Sequence, residues 1–194
     1  VNTSTVSSAT GTSSSTSTGD IAQYATSTSG LNLLSGAGLL NKCNETSSAC
    51  QAKTLTREEA AAVVATIGGV SLDAPNAYSD DDQSIYQRAI NSLPYHGNQI
   101  CLGGGVQFQP TETVARDQFA CLLIKSIKAG STTEFSGSVD KYSDEGASSW
   151  TNEINILAAN DLIPSCSSIQ DKFCPSRNIS VGEIAYMVDR MVSM

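Results

Sequence analysis

The chain has 194 residues, 40% of them hydrophobic, which is room for one domain of ordinary size with a real core. A formal net charge of -8 and a sequence pI near 4.5 argue against a nucleic-acid partner. No apolar run approaches the roughly 20 residues needed to cross a bilayer, so helical membrane insertion is not expected.

Residues 1–19 are almost entirely Ser and Thr, with Val, Ala and Gly. Alone, such a segment cannot bury enough apolar surface to offset its ordering entropy, and it reads first as a disordered tail or stalk. It is also uncharged up to Asp20, free of Pro, and alternates at Val1, Thr3 and Thr5, with Val6 following. That pattern suits an extended strand laid on a sheet edge or in a groove, held by main-chain hydrogen bonds. Val1, Thr3, Thr5 and Val6 are therefore candidate docking residues. A neighbouring copy is the preferred host and the parent domain the alternative. The start at Val1, with no basic or apolar leader, fits a processed N-terminus or an expression boundary.

The folded domain is expected over 20–194. Asp20 to Tyr24 can form a helical turn, and Leu31, Leu33 and Leu34 a short helix weakened by Gly36 and Gly38. Thr54 or Thr56 can cap the next helix, with Glu58 and Glu59 in its first turn. Ala60, Val63, Val64 and Ile67 give it one apolar face, and Gly68-Gly69 ends it. In Tyr78-Ser-Asp-Asp-Asp82 the acids lack EF-hand spacing and read as an N-cap with first-turn charge. Ile85, Ala89, Ile90 and Leu93 form the next stripe, ended by Pro94. Gly103-Gly-Gly105 is a turn, since no Lys-Ser/Thr follows as a P-loop requires. Val106 to Phe108 could pair briefly as a strand, and Thr113 could cap a helix bearing Phe119, Leu122, Leu123 and Ile127. A Gly/Ser/Thr linker at 130–138 precedes Tyr142-Ser-Asp-Glu, Trp150, and a last helix with Ile184, Met187, Val188, Met191 and Val192 on one face.

These segments repeat. Ile179-Ser-Val-Gly-Glu183 corresponds to Val114-Ala-Arg-Asp-Gln118, 65 residues earlier, and to Leu55-Thr-Arg-Glu-Glu59, a further 59 earlier. Repeats are placed at about 20–69, 78–129 and 140–194. Six cysteines sit within them, and Leu34 to Cys43 aligns without a gap on Leu157 to Cys166. Repeat logic pairs Cys43 with Cys50 and Cys166 with Cys174, leaving Cys101 with Cys121. Disulfides imply an oxidising compartment. A metal site is a weak alternative, with no CxxC and His96 the only histidine. Three helices with one apolar face each bury best against one another, which predicts a mainly α fold with a pseudo-threefold helical bundle, plus the N-terminal strand.

The boxes resemble the S-layer homology family, whose repeat has an aromatic-x-Asp start, a Trp-containing helix, a Gly-Ile-Ile-like turn and, after a loop, an Ile-Thr-Arg-Ala-Glu box. Here these are Tyr142-Ser-Asp144, Trp150, Asp161-Leu-Ile163 and Ile179 to Glu183. The second copy keeps Tyr78-Ser-Asp80, Tyr86 and Val114 to Gln118, and the first mainly Leu55 to Glu59. The resemblance implies helical prongs around a threefold bundle, a cell-surface location, and often binding of a pyruvylated cell-wall polysaccharide. Arg57 and Arg116 match the box arginine that helps hold that ligand, while the third box has Val181 and the second ends in Gln118. The alternative is that both arginines pair with neighbouring carboxylates.

No catalytic site assembles from the sequence. A triad would need His96, beside Pro94 and Gly97 in an expected turn, and the paired acids read as solvated helix starts. No cofactor is expected. The leading expectation is a structural subunit of an extracellular filament or surface layer, polymerising head-to-tail through its N-terminal segment. The alternative is a wall-anchoring module using Arg57 and Arg116. Asn2, Asn44 and Asn178 begin N-glycan sequons, and Asn178 could equally cap the last helix.

Overall fold

The computed structural model describes residues 30, 32, 34–35, 38, 48–93, 101–102, 106–130, 135–167 and 170–194. The expectations for Val1, Thr3, Thr5, Val6, Asn2, Asn44, Cys43, Asp20 to Tyr24, Pro94, His96 and Gly103 to Gly105 lie outside them.

The described chain is mainly α. Its helices are α1 (Ser48–Gln51), α2 (Arg57–Gly68), α3 (Gln87–Ser92), α4 (Arg116–Gly130), α5 (Thr151–Ala159) and α6 (Val181–Val192), with a 3-10 turn at Glu145–Ala147 before α5. No strand occurs among the described residues, and Val106 to Phe108 does not form one. The Val106 carbonyl accepts both the N–H (3.0 Å) and the hydroxyl (3.1 Å) of Ser79, with no ladder of paired backbone bonds, and the Val106 side chain is exposed.

The three boxes meet where their helices begin. Leu55 N–H donates to the Ile179 carbonyl (3.2 Å), Ile179 N–H to the Val114 carbonyl (3.1 Å), and Val114 N–H to the Leu55 carbonyl (3.3 Å). The cycle closes on itself, and the three side chains are fully buried inside it. A second layer repeats the pattern: Arg57 N–H donates to Glu112, Arg116 N–H to Arg177, and Val181 N–H to Lys53. Burying extended backbone costs free energy unless each amide finds a partner, and this ring satisfies all three pairs at once.

The expected cap is found at the first box and not at the other two. Thr56 caps α2 and Ser180 caps α6, each in a full capping box with Glu59 or Glu183. The cap of α6 is therefore Ser180, and the alternative cap, Asn178, is an exposed residue two positions earlier. At α4, Thr113 is not the cap, because the helix begins at Arg116. Thr113 bridges to Thr56 instead, and the Gln118 side chain accepts the Ala115 N–H (3.1 Å).

Helix α2 departs from the one-faced pattern, being buried from Glu59 through Ala65 and again at Gly68. Small residues on its remaining faces let it run through the middle of the core. It packs on α4 and α3, α4 packs on α5, and α6 packs on α1. Among the described helices the box helices are thus unequal: α2 and α4 pack directly, while α6 packs on α1 and meets Gly30 at Ala185. Two further expectations fail for local reasons. Ile85 is 75% exposed because it precedes α3, which starts at Gln87, so only Ala89, Ile90 and Leu93 carry the stripe. Val192 is 69% exposed at the last turn of α6, beyond its covering helix.

The α2–α4 contact requires glycine. A Cβ on Gly68 would lie 2.7 Å from the carbonyl carbon and oxygen of Ser126, and one on Gly130 would collide with the Gly68 carbonyl. Gly69 then ends α2 with φ at 63°, the left-handed conformation that favours glycine. Gly68→Ala gains about 1 kcal/mol of helix propensity but overpacks the crossing at a cost of roughly 1–3 kcal/mol. Its urea midpoint should fall below the wild-type value.

Candidate functional site

The aromatic-x-Asp starts have one structural job, performed twice. Tyr78 packs against Phe108 with ring centroids 5.2 Å apart, and Tyr142 against Phe173 at 5.6 Å. The Asp80 carboxylate accepts the N–H groups of Phe108 and Gln109 (2.7 and 2.8 Å). Asp144 accepts those of Phe173 and Cys174 (2.7 and 2.9 Å). Gln109 and Cys174 both hold positive φ, at 58° and 56°, so each carboxylate fixes a strained corner of the loop feeding the next box. Neither carboxylate makes the helix cap expected from sequence: the helix after Asp80 starts beyond Tyr86, and Asp144 stands at the N-cap position of the 3-10 turn without a side-chain cap hydrogen bond. Asp81, beside Asp80, is fully buried.

Arg116, one of the two candidate ligand-binding arginines, is fully enclosed. Its Nε donates to the Phe173 carbonyl (2.7 Å), one terminal nitrogen to the Pro164 carbonyl (2.6 Å), and the other to the Glu183 carboxylate. The guanidinium also lies over the Phe173 ring, 4.7 Å from its centroid. Glu183 receives Arg177 as well, while its second oxygen completes the α6 capping box. The arginine of the second box is thus neutralised by the glutamate of the third. The alternative expectation, that the box arginines pair with carboxylates, holds for Arg116, with Glu183 as a partner that the sequence did not single out.

Arg57 has a different surrounding. Its guanidinium donates to the Phe108 and Leu102 carbonyls (3.0 and 3.2 Å) and to Gln109 Oε1 (2.9 Å). It is half-buried, and its Nε has no acceptor. By the box alignment its counterpart to Glu183 is Gln118, which carries no charge. Beside Arg57 runs a groove of about 460 Å³ whose lining includes Glu58, Asp80, Gln109 and Glu112. Three carboxylates there oppose an anionic ligand.

Neighbouring segments are joined in the same way at two places. Ser84 Oγ donates to Glu58 (2.6 Å), and Ser148 Oγ to Asp117 (2.9 Å). Gly182 takes the third equivalent position, where a Cβ would come within 3.1 Å of the Gln51 Cβ.

Two disulfides match the expected pairs: Cys101–Cys121, with Cα atoms 5.6 Å apart, and Cys166–Cys174, at 6.0 Å. Cys50 is disulfide-bonded too. These bonds place the chain in an oxidising compartment. Asp144 lies beside Cys166 and Cys174, a grouping with metal-ligand geometry. Because the two sulfurs are bonded to each other and the carboxylate is committed to backbone amides, this cluster is a loop staple. No described helix is long and apolar enough to cross a membrane.

Glu145 is the unusual acid. Expected at a solvated helix start, it is only 4% exposed. Burial pushes its carboxyl above the usual range, and the neighbouring Asp140 adds to the rise.

Removing Arg116 would leave the buried Glu183 charge with Arg177 alone. Arg116→Ala should lower unfolding free energy by roughly 3–5 kcal/mol, read as a shifted urea midpoint. An exposed ligand-binding arginine would give a much smaller change.

A scan against protein-family models matches none, and a search of curated proteins returns no significant match to this chain.

Proposed function

We propose that the chain is a non-enzymatic structural subunit of an extracellular filament or surface layer. Three S-layer-homology-like repeats form a pseudo-threefold body, and residues 1–19 dock as an extended strand into a neighbouring copy. The closed backbone ring at Leu55, Val114 and Ile179 supports the threefold reading. The observation carrying the functional choice is the enclosure of Arg116. Of two guanidiniums that could meet an acidic wall polymer, one is spent inside the fold, and carboxylates line the groove beside the other. What remains for function is the exterior and the tail. A head-to-tail contact through that tail would propagate without closing.

The second reading is a wall anchor, favoured by the half-exposed Arg57 and its unsatisfied Nε. It predicts binding to purified acidic cell-wall polysaccharide that Arg57→Ala weakens. Asn178, being exposed, remains a candidate glycan acceptor under either reading.

Size-exclusion chromatography with negative-stain microscopy, comparing the full chain with one beginning at Asp20, tests the proposal. Long assemblies from the full chain and a folded monomer from the shortened one are the expected result. Two monomers would sink the polymer reading and bring the anchor forward.

A further inference from the structure

Backbone hydrogen bonds identify which side chains stand at matching places where the three box helices begin. The N–H groups of Arg57, Arg116 and Val181 donate to the carbonyls of Glu112 (2.7 Å), Arg177 (2.9 Å) and Lys53 (2.8 Å). Glu112, Arg177 and Lys53 therefore share one position at successive junctions. Glu58, Asp117 and Gly182 share another, each the second residue of its helix. The first junction thus carries two acids, the second an acid and a base, and the third one base, Lys53. Glu112 and Lys53 are exposed, and Glu58 is partly so. Glu58 accepts the neutral Ser84 hydroxyl (2.6 Å), and among the described residues neither it nor Glu112 forms an ion pair.

Apolar side chains accompany the acids. Ile85, 75% exposed, directly follows Ser84, the residue that holds Glu58. Val106, also 75% exposed, is bonded through its carbonyl to Ser79, next to Asp80 in the lining of the acidic groove. The third segment has the same scaffold with polar residues at both places. Ser149 follows Ser148, which holds Asp117, and the Asp171 carbonyl takes the N–H (2.8 Å) and hydroxyl (3.1 Å) of Ser143. Polar residues satisfy the fold at these positions, so folding does not account for Ile85 and Val106. Exposed branched side chains beside a charged groove are what a protein contact surface presents.

We infer that the acidic first junction of one copy docks on the Lys53 junction of the next, with Ile85 and Val106 covered in the contact. This rests on the polymer reading above and names the body surfaces that meet once the N-terminal segment has docked. Charge selects the pairing. Like junctions would set acids against acids or lysine against lysine, whereas first on third sets Glu58 and Glu112 against Lys53. Copies that each carry a net charge of -8 repel one another in general, so faces of opposite sign are the ones that can approach. Because the two faces differ, the contact is heterologous and propagates from copy to copy. A few exposed charges and two apolar side chains hold weakly alone, so the N-terminal segment is still required.

The test is a charge swap in the full chain, with light scattering reading the concentration at which assemblies appear. Glu112→Lys and Lys53→Glu alter exposed side chains, so both variants should fold with wild-type melting temperatures. Each alone should raise the assembly threshold at least about tenfold. An equimolar mixture of the two should assemble near the wild-type threshold, because the reversed charge of one then faces the reversed charge of the other. Ile85→Ser, which installs the third segment's residue, should raise the threshold by a smaller factor. Variants that assemble as readily as the wild-type chain overturn this inference and leave the polymer reading standing. Loss in both variants without rescue on mixing overturns it too, since the two charges then do not face each other. A wild-type chain that stays monomeric overturns the polymer reading and this contact with it.

Discussion

The fold depends on a cycle of three backbone hydrogen bonds among Leu55, Val114 and Ile179. Each amide and carbonyl in it is buried with the others, so breaking one bond leaves a donor and an acceptor without water to replace the loss. A closed cycle also has no edge strand to extend, which is how three extended dipeptides can be buried without a sheet. The helices radiate from this point, and the second layer of bonds at Arg57, Arg116 and Val181 sets their directions. Everything outside the ring serves to deliver the three boxes to it. The paired tyrosine and aspartate of the second and third segments clamp the loops just before the boxes.

The three junctions around the ring are chemically unequal. Between the second and third boxes, Arg116 and Glu183 form a buried ion pair supported by two carbonyls and an aromatic face. At the first junction Gln118 replaces the acid, and Arg57 turns to carbonyls and Gln109. At the third, Val181 replaces the base, and Glu59 serves its own helix cap. A buried ion pair adds little net stability over an apolar replacement, but it penalises wrong pairings heavily because a lone buried charge is costly. One such pair is enough to mark which boxes are neighbours, and we read its presence at a single junction as a register device.

The disulfides reinforce the periphery. Cys101–Cys121 ties an outer segment to α4, and Cys166–Cys174 closes the loop that Asp144 already pins. Several charged side chains are turned inward: Arg116, Glu183, Asp81 and Glu145 are all buried.

Most helix positions, one of the two candidate caps of α2 (Thr56) and two cysteine pairings were legible in the sequence, because each rests on local spacing, whereas the cap of α6 was expected at Asn178 and is Ser180. The resemblance of the boxes also pointed to Arg57 and Arg116 as special. Their divergent fates were decided in three dimensions, since Glu183 reaches Arg116 across 67 residues and no local pattern reports that distance. Ile85 misled for the same reason: apolar spacing alone does not say where an uncapped helix begins. The acids of Tyr78-Ser-Asp80 and Tyr142-Ser-Asp144 resemble helix starts in sequence, and only the folded loops show that they hold backbone amides some 28 to 30 residues away. The sequence by itself determined which segments are helical, because periodicity and capping are local. Tertiary structure decided which charges are buried and which junctions differ, because those depend on what the closed ring brings together.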